Sequence, residues 1–366
     1  MVYQSLAAFG NRSRFSAGIF CVIFLAMFAS GCESFLGKQV VKPPNHGKPL
    51  ASVDRERPLA LDDTVIDHQF RVEVTGRTPA SLAVWVIDPS NERYVGTEPH
   101  DDKPKLKRMV FEREGGPDTP RQTRPPRATI LMLHGYFDTI NQTRYLGWSR
   151  LLAAEGYRTI LVDQRGHGRS TGDWASYGVQ ESRDMVVVLD DLEKRGLLAG
   201  PVGVTAVSLG ASTAVQLAAR DDRVEALVLI STFSSFREVV PDFGRAIGFR
   251  AFSEAKFQRI VDHAGRFGGF SPDDADSSKL IAEIDTPVLI FHGEKDHLIP
   301  IDHALRLYES ADRDNVELVR IAEADHTTLG DQVVEPLREP MLAWFDRYLT
   351  NRRELVRTRD QPGDDG

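Results

Sequence analysis

The sequence predicts an α/β fold in which helices cover both faces of a mostly parallel central sheet. From residue 128 onward, short β-branched runs alternate with longer segments of helical periodicity. Such alternation is typical of strands joined by crossover helices, which make neighbouring strands parallel. Runs such as ATILML at 128–133 are almost entirely apolar, as expected of strands that are covered on both faces. The 366 residues are enough for one large domain of this kind.

The amino-terminal residues have the features of a secretory signal. A basic start, an uncharged stretch at 15–32 and the small residues before Cys32 form the regions of such a signal. The sequence ASGC at 29–32 resembles the bacterial lipobox, and this resemblance implies cleavage after residue 31 and acylation of Cys32. Plain secretion and an uncleaved membrane anchor are the alternatives. We expect an extracytoplasmic protein of the bacterial cell envelope, anchored to a membrane by lipid, or else a secreted or periplasmic one.

Composition divides the chain into four regions. The residues after Cys32 include KPPNHGKP and few apolar side chains, which indicates a flexible tether. The last residues are almost entirely polar, which indicates disorder. The predicted regions are a lipoprotein-type signal peptide (1–31), a flexible tether (32–60), a folded domain (61–350) and a disordered tail (351–366).

The folded domain opens with strands. Alternating sequences at 65–74 and 81–88 predict an antiparallel pair at the sheet edge. Residues 89–127 are rich in proline, glycine and charge, and predict a long loop with one possible strand at 107–113. The later predicted elements are, in chain order, a strand at 128–133, a helix at 143–155, strands at 159–163 and 202–207, a helix at 209–219, strands at 224–230 and 287–292, a helix at 302–310, a strand at 316–321 and a helix at 333–349.

A long insertion separates two of these strands. Residues 231–286 are too many for a simple connection, and eight of the 19 phenylalanines fall between positions 233 and 270. Apolar side chains recur there at helical spacing, at Phe236, Val239, Val240, Phe243 and Ile247. We therefore expect a helical lid at about 233–285. Its phenylalanines either pack the lid onto the domain or line an apolar site beneath it.

Charge and cysteine content exclude several classes of function. The net charge of −8 argues against a nucleic-acid partner. Of the two cysteines, Cys21 would leave with the signal peptide and Cys32 would be acylated, so the mature chain would have no disulfide. The glycines at 165–168 lack the spacing of a nucleotide-binding loop, and no cluster of ligands has metal spacing. We expect neither a cofactor nor a metal.

Three residues follow predicted strands in an order that suggests nucleophilic catalysis. Ser208 lies in VTAVSLGAS, where a strand passes into a helix, and a serine at such a turn is a nucleophile elbow. Asp296 lies in HGEKDHLIP and His326 in EADHTTL, each just after a strand. Glu294 is the nearest rival for the acid. Among ten histidines, His326 alone follows the last predicted strand.

These motifs, together with others, resemble the α/β-hydrolase superfamily over about residues 65–350. The shared motifs are ATILMLHGY (128–136), TILVDQRGHGRSTG (159–172) and YGVQESRDMVVVLDDL (177–192), and they are similar to the serine aminopeptidase-like and monoacylglycerol lipase-like branch. The resemblance implies the α/β-hydrolase fold, with the helical lid between the family's sixth and seventh strands. One position departs from the pattern, since Ala206 stands where the elbow usually has glycine.

The resemblance also implies a role for each site residue. Ser208 would attack an acyl carbon, His326 would accept its proton, and Asp296 would orient the histidine. The backbone N–H groups of Tyr136 and Leu209 would form the oxyanion hole.

The resulting hypothesis is a serine hydrolase that cleaves carboxylic esters or related acyl compounds through an acyl-enzyme. Its partners would be a small-molecule ester or acyl substrate and, through the N-terminal lipid, a membrane. The oligomeric state is left open. An aminopeptidase-like peptide hydrolase, for which the acidic run SPDDAD at 271–276 could bind an α-ammonium group, is one alternative. An acyltransferase and a non-catalytic envelope binding protein that keeps the fold are the others.

Overall fold

The computed structural model describes residues 32–48, 65–100, 103–331 and 335–350. The predicted signal peptide (1–31) and the predicted tail (351–366) lie outside these residues, as does the side chain of Cys32. Within these ranges, no helix is long and apolar enough to cross a membrane.

A central sheet of eight strands forms the middle layer, and a separate two-stranded hairpin lies beside it. In chain order the strands are β1 (His68–Val74), β2 (Ala80–Ile87), β3 (Glu92–His100), β4 (Lys103–Arg113), β5 (Ala128–Leu133), β6 (Tyr157–Val162), β7 (Val202–Val207), β8 (Val224–Ile230), β9 (Val288–Gly293) and β10 (Val316–Ile321). The sheet order is β1-β2-β6-β5-β7-β8-β9-β10. Strands β5 to β10 are parallel, whereas β1 and β2 form an antiparallel edge. The prediction of a mostly parallel sheet is confirmed.

Helices cover the two faces of this sheet. They are α1 (Cys32–Val40), α2 (Thr143–Ala154), α3 (Val179–Lys194), α4 (Leu209–Ala218), α5 (Phe236–Ala246), α6 (Glu254–Gly268), α7 (Ser277–Ile281), α8 (Asp302–Ser310), α9 (Thr328–Asp331) and α10 (Glu335–Phe345), with a π-helical turn at Asp346–Thr350. Apolar side chains of α3, α4 and α8 pack on one face, and those of α2 and α10 pack on the other. Strand β5 serves both layers, because Leu131 points into the first cluster and Ile130 into the second.

The segment after Cys32 differs from the predicted flexible tether. Residues Cys32–Val40 form helix α1, which packs against α6, and the following turn extends to residue 48. A few apolar residues attach this segment to the domain, and among them Val41 is completely buried in a cluster with Phe236. The polar composition gave no sign of an ordered segment, because much of its contact with the domain consists of hydrogen bonds to backbone groups. Residues 49–60, the remainder of the predicted tether, lie outside the described residues.

The predicted long loop at 89–127 is also partly wrong, because β3 and β4 pair within it as an antiparallel hairpin. The strand expected at 107–113 is confirmed as part of β4, but β3 was missed. Register shifts beside Gly96 and Pro99 interrupt the alternation that marks a strand. Contacts with α2 stabilise the hairpin: the Arg150 guanidinium pairs with Glu92 at 3.0 Å and covers the Phe111 ring at 4.2 Å.

The insertion between β8 and β9 contains helices α5, α6 and α7. Most of its aromatic rings pack inward or against one another. Phe233, Phe236 and Phe257 are almost fully buried, and Phe249 and Phe252 lie 5.1 Å apart. That the insertion acts as a lid stays a prediction.

Candidate active site

Ser208 lies at a sharp turn between β7 and α4. Its backbone has φ +50° and ψ −109°, a left-handed conformation that residues other than glycine rarely adopt. Such a conformation costs on the order of 1–3 kcal/mol and persists only where neighbouring contacts enforce it. The Ser208 N–H donates to the carbonyl of Ile230 at 2.9 Å, which attaches the turn to the end of β8. This is the geometry expected of a nucleophile elbow.

The elbow accommodates Ala206 and depends on Gly210. Ala206 is buried in β7 between Leu133 of β5 and Leu229 of β8, so its methyl group fits within the sheet. At Gly210, by contrast, a Cβ atom would lie 2.4 Å from the carbonyl oxygen of Leu133. The second glycine of the motif therefore permits the close approach of α4 to the end of β5, whereas the position of the first accommodates a methyl group in this chain.

Asp296 and His326 lie in direct contact. The His326 Nδ1 atom is 2.8 Å from Asp296 Oδ2, and the Asp296 side chain is fully buried while that of His326 is 21% exposed. The other carboxylate oxygen, Oδ1, accepts hydrogen bonds from the N–H groups of Leu298 at 3.0 Å and Ile299 at 2.8 Å. The two oxygens thus have different partners, which fixes the carboxylate plane and directs Oδ2 at the imidazole.

The loops around this pair are held by further hydrogen bonds. His292 Nε2 donates to the carbonyl of Ile299 at 2.9 Å, beneath the Asp296 loop. Asp325 accepts hydrogen bonds from Thr327 and Thr328, which shape the turn after His326. Burial alone would raise the pKa of Asp325, but these hydrogen bonds together lower it below its ordinary value, so the carboxylate stays ionised.

All three residues lie at the carboxyl edge of the parallel strands. Ser208 follows β7, Asp296 follows β9 and His326 follows β10, and these strands are near neighbours in the sheet. The edge outside the carboxyl ends of parallel strands is where α/β sheets bind ligands. Within the described residues, no direct hydrogen bond joins the Ser208 hydroxyl to His326, although such contacts often tighten only when substrate binds. The rival acid Glu294 instead pairs with Arg320 at 2.9 Å.

The loop after β5 carries Tyr136 and runs beside the elbow. A Cβ on Gly135 would lie 3.6 Å from the Ser208 Cβ atom, which places this loop against the serine. Leu209 is the first residue of α4, so its N–H lies at the positive end of the helix. The two predicted oxyanion donors therefore belong to segments that meet at Ser208.

His134 supports this loop as a neutral side chain. The Gln164 N–H donates to His134 Nε2 at 3.0 Å, so the ring proton must be on Nδ1, which donates to the carbonyl of Gly135 at 2.8 Å. Burial lowers the pKa of His134 to about 3, and the imidazole therefore stays uncharged. Gln164 also donates to the His134 carbonyl at 2.7 Å and accepts from Thr213 at 2.9 Å, which joins the loop to α4, the helix that follows the elbow and is here called the elbow helix.

Several supporting residues escaped the sequence analysis. Tyr145 accepts a hydrogen bond from the Gly135 N–H at 3.1 Å and donates to Asp138 at 2.9 Å, and Arg144 pairs with Asp138. Burial opposes ionisation of Asp138, but the Arg144 guanidinium together with neighbouring donors lowers its pKa below the ordinary value. Tyr177, with φ +54°, lies 5.8 Å from the Tyr136 ring in a stacked arrangement. No sequence signal marks these contacts, because they join residues through the tertiary fold.

One aromatic pair connects the insertion with the loop after β5, here called the oxyanion loop because it carries Tyr136, one of the two predicted oxyanion donors. Phe137 is 48% exposed, and its ring lies 6.4 Å from Phe243 of α5 in a stacked orientation. Ile247 near the end of the same helix is 49% exposed. Phe243 is thus the insertion phenylalanine that contacts the residue next to Tyr136.

Solved structures share this arrangement of strands and helices. An esterase of Pyrococcus furiosus, Pf2001, superposes with a TM-score of 0.54 at 18% sequence identity, covering 84% of this chain and 98% of the esterase. The acylaminoacyl peptidase of Pyrococcus horikoshii gives a TM-score of 0.53 at 16% identity and covers 81% of this chain and 43% of the peptidase. At such identities the likeness concerns the fold alone.

A family model matches the central part of the sequence. Residues 124–264 match the family described as serine aminopeptidase, S33, and this segment includes the oxyanion loop and the elbow. The chain therefore has the α/β-hydrolase fold, and over residues 124–264 it is similar to this family. The matched segment ends before Asp296 and His326, so the comparison does not reach the contact between these two residues.

Curated relatives of the chain include an uncharacterised protein and a lipase. YqkD of Bacillus subtilis, which is uncharacterised, is 29% identical over 187 residues, or 50% of this chain and 59% of YqkD. Lysophosphatidylserine lipase ABHD12 of Macaca fascicularis is 28% identical over 188 residues, or 50% of this chain and 45% of the lipase. The chain thus spans about half the length of these curated relatives.

Proposed function

We propose that the protein is a serine hydrolase that cleaves carboxylic esters or related acyl compounds through an acyl-enzyme on Ser208. The observation that carries the proposal is the strained Ser208 turn at the same sheet edge as the Asp296–His326 pair. A backbone held at φ +50° at a buried serine is costly, and such strain concentrates at functional sites. A buried carboxylate that orients a partly exposed imidazole is the arrangement that a general base requires.

The proposed reaction uses each group in turn. His326 Nε2 removes the hydroxyl proton of Ser208 as the oxygen attacks the acyl carbon, and Asp296 stabilises the imidazolium that forms. The N–H groups of Tyr136 and Leu209 stabilise the negative charge on the carbonyl oxygen, and His326 returns the proton to the leaving alcohol. Water then attacks the acyl-enzyme with His326 again as base, which releases the acid and restores Ser208.

The decisive experiment is covalent labelling of the nucleophile. A fluorophosphonate probe should label the wild-type protein, and Ser208→Ala should abolish labelling and remove nearly all ester hydrolysis. Removal of a triad nucleophile should leave only about 10³–10⁴-fold catalysis over water, from the oxyanion hole and substrate binding. Ser271→Ala, at an exposed serine of the insertion, is the matched control and should label normally. Labelling of Ser208→Ala at the wild-type rate would assign the reaction to a different nucleophile.

Esters are favoured over peptides by the partners of the insertion carboxylates. A peptidase that releases N-terminal residues needs carboxylates free to bind an α-ammonium group. Of the three carboxylates in SPDDAD, Asp273 is paired with Arg237, and Asp276 accepts hydrogen bonds from Ser278 and Lys279 at the start of α7. Asp274 lines a surface pocket together with Arg183 and Arg266, whose positive charges disfavour an α-ammonium group there. The relatives include both a lysophosphatidylserine lipase and a dipeptidyl-peptidase, and the matched family is named for an aminopeptidase, so aminoacyl anilides belong in the same assay as p-nitrophenyl esters.

We further propose that Cys32 carries the lipid anchor. The motif ASGC at 29–32 supports this proposal, and helix α1 begins at Cys32 itself, so acylation there would hold the domain close to the membrane surface. Mass spectrometry of the mature N-terminus should find an acylated Cys32, and Cys32→Ser should release the protein from membranes or leave an unprocessed precursor. More than one acyl chain is expected, because a single chain gives only weak membrane binding. An unmodified N-terminus at any other residue would refute the anchor.

A further inference from the structure

The segment Cys32–Lys48, here called the strap, is attached to the insertion at one end. Glu33 receives two hydrogen bonds from Arg259 of α6, at 2.8 and 2.9 Å. Gly37 lies so close to α6 that a Cβ atom there would be 2.8 Å from the Ile260 carbonyl oxygen and 2.8 Å from the Ala264 nitrogen. This contact leaves no room for a side chain, so α1 is seated directly on the backbone of α6.

The other end of the strap is attached to the loop between β6 and α3. Asn45, almost fully buried, donates to the carbonyls of Gly168 at 2.7 Å and Ser170 at 3.2 Å. The Asn45 N–H donates to the Gly166 carbonyl at 2.9 Å, and the Ala175 N–H donates to the Val41 carbonyl at 2.9 Å. The strap therefore spans from the insertion to the loop that leads into Tyr177.

Tyr177 is the residue where the strap, the elbow helix and the oxyanion loop meet. Its phenol donates to the Val40 carbonyl of the strap at 2.9 Å. Its own carbonyl accepts hydrogen bonds from Ser212 at 2.8 Å and Gln216 at 2.9 Å, both in α4. Its ring stacks on Tyr136 at 5.8 Å.

The backbone of Tyr177 shows that these contacts act together. A tyrosine at φ +54° is strained, because a bulky side chain rarely adopts the left-handed conformation. The strain persists because three separate elements fix the phenol, the carbonyl and the ring. The ring also packs against Phe236, with 4.3 Å between centroids, so release of the phenol would shift the ring relative to Tyr136 without freeing it.

We propose that Tyr177 is a positioning residue of the oxyanion loop and that the strap is the support that holds it in place. The inference rests on the proposed function, since it concerns the N–H of Tyr136 as an oxyanion donor. The ring of Tyr136 is confined between Tyr177 and His167, whose ring lies 5.5 Å away on another side. Movement of Tyr177 therefore changes where the backbone of Tyr136 lies relative to Ser208. The strap would therefore contribute to catalysis indirectly, by holding Tyr177 in place.

The first test removes only the phenol hydroxyl. Tyr177→Phe in the full-length protein keeps the ring and deletes its hydrogen bond to Val40. We expect kcat for a short p-nitrophenyl ester to fall about three- to tenfold, the range of a single net hydrogen bond, with KM unchanged. The affinity for a trifluoromethyl ketone, which mimics the oxyanion, should fall by the same factor as kcat/KM. Tyr308→Phe, on α8, is the matched control and should leave all three values unchanged.

The second test displaces the strap. Gly37→Leu should force α1 off α6 and reproduce the loss seen in Tyr177→Phe, whereas Lys42→Leu, at an exposed position of the same segment, should not. The double variant Gly37→Leu/Tyr177→Phe should be no less active than the worse single variant, because both act through one contact. If Gly37→Leu does not fold, Asn45→Ala replaces it in the same cycle, since it removes the strap's hydrogen bonds to Gly168 and Ser170.

The outcomes separate this inference from the proposed function. Persistent labelling of Ser208→Ala would overturn the proposed function and this inference with it. If Ser208→Ala is unlabelled but Tyr177→Phe has wild-type kcat and wild-type affinity for the ketone, this inference alone is overturned. Losses that multiply in the double variant would show that Tyr177 and the strap act independently, which would overturn the role of the strap.

Discussion

Asp296→Asn is the substitution whose effect the structure specifies best. In the wild-type protein, Oδ1 accepts two backbone N–H groups and Oδ2 accepts the imidazole proton. An asparagine would place its carbonyl oxygen toward the N–H groups of Leu298 and Ile299, because an amide NH₂ there would face two donors. Its NH₂ group would then point at His326 Nδ1, which must become an acceptor. The proton moves to Nε2, and the histidine can no longer accept the proton of Ser208.

The magnitude follows from that change of tautomer. Replacement of the acid in another Ser-His-Asp enzyme lowers kcat by about 10⁴-fold for this reason, which corresponds to about 5 kcal/mol of transition-state stabilisation. Folding should change far less, because the asparagine keeps both backbone hydrogen bonds and fills the same volume. A loss of about 1 kcal/mol would lower Tm by only about 2–4 °C in a domain of this size.

The assay compares two amides in the same loop. Hydrolysis of a p-nitrophenyl ester at saturating concentration should fall by orders of magnitude in Asp296→Asn and stay near wild type in Glu294→Gln. Glu294 serves as the control because its carboxylate pairs with Arg320 away from the imidazole. Circular dichroism and Tm should show both variants folded. An Asp296→Asn variant within tenfold of wild type, or a damaging Glu294→Gln, would show that the acid is misassigned.

Three further predictions concern Phe243 of the insertion, the elbow and the pH dependence of stability. In a series of p-nitrophenyl esters, each methylene of the acyl chain that is buried should lower the activation free energy by up to about 0.8 kcal/mol, until kcat/KM stops rising. Phe243→Ala should shift the acyl chain length at which this plateau begins, whereas Phe249→Ala should not. Gly210→Ala should abolish fluorophosphonate labelling, because its Cβ would overlap the Leu133 carbonyl, but Ala206→Gly should stay active. Urea midpoints should fall between pH 7 and 5.5, because histidines whose pKa is lowered by burial gain protons only after unfolding, and a constant midpoint would contradict this. The histidines are His134, His167, His292 and His303.

Local sequence patterns account for the strands and for the order of the candidate site residues. Strand β5 was predicted at its observed bounds because its six residues are almost all apolar and are too few for a helix. The strap was mistaken for a tether because Asn45 reaches carbonyl groups more than 120 positions away in the chain. A polar residue whose partners are distant backbone atoms looks, in sequence, like a residue of a solvated loop. Tyr177 was missed for the same reason.

The observations that support Ser208 differ in kind from those that support the other half of the proposed triad, Asp296 and His326. The family match at 124–264 includes Ser208 and the oxyanion loop, whereas Asp296 and His326 lie beyond its end. This pair is supported by the 2.8 Å contact between His326 Nδ1 and Asp296 Oδ2 and by the fixed orientation of the Asp296 carboxylate. Loss of labelling in Ser208→Ala together with full activity in Asp296→Asn would therefore identify a serine enzyme whose base does not depend on Asp296. Loss in both would join the two halves into one catalytic unit, because the reaction at Ser208 would then depend on an imidazole that Asp296 holds in the correct tautomer.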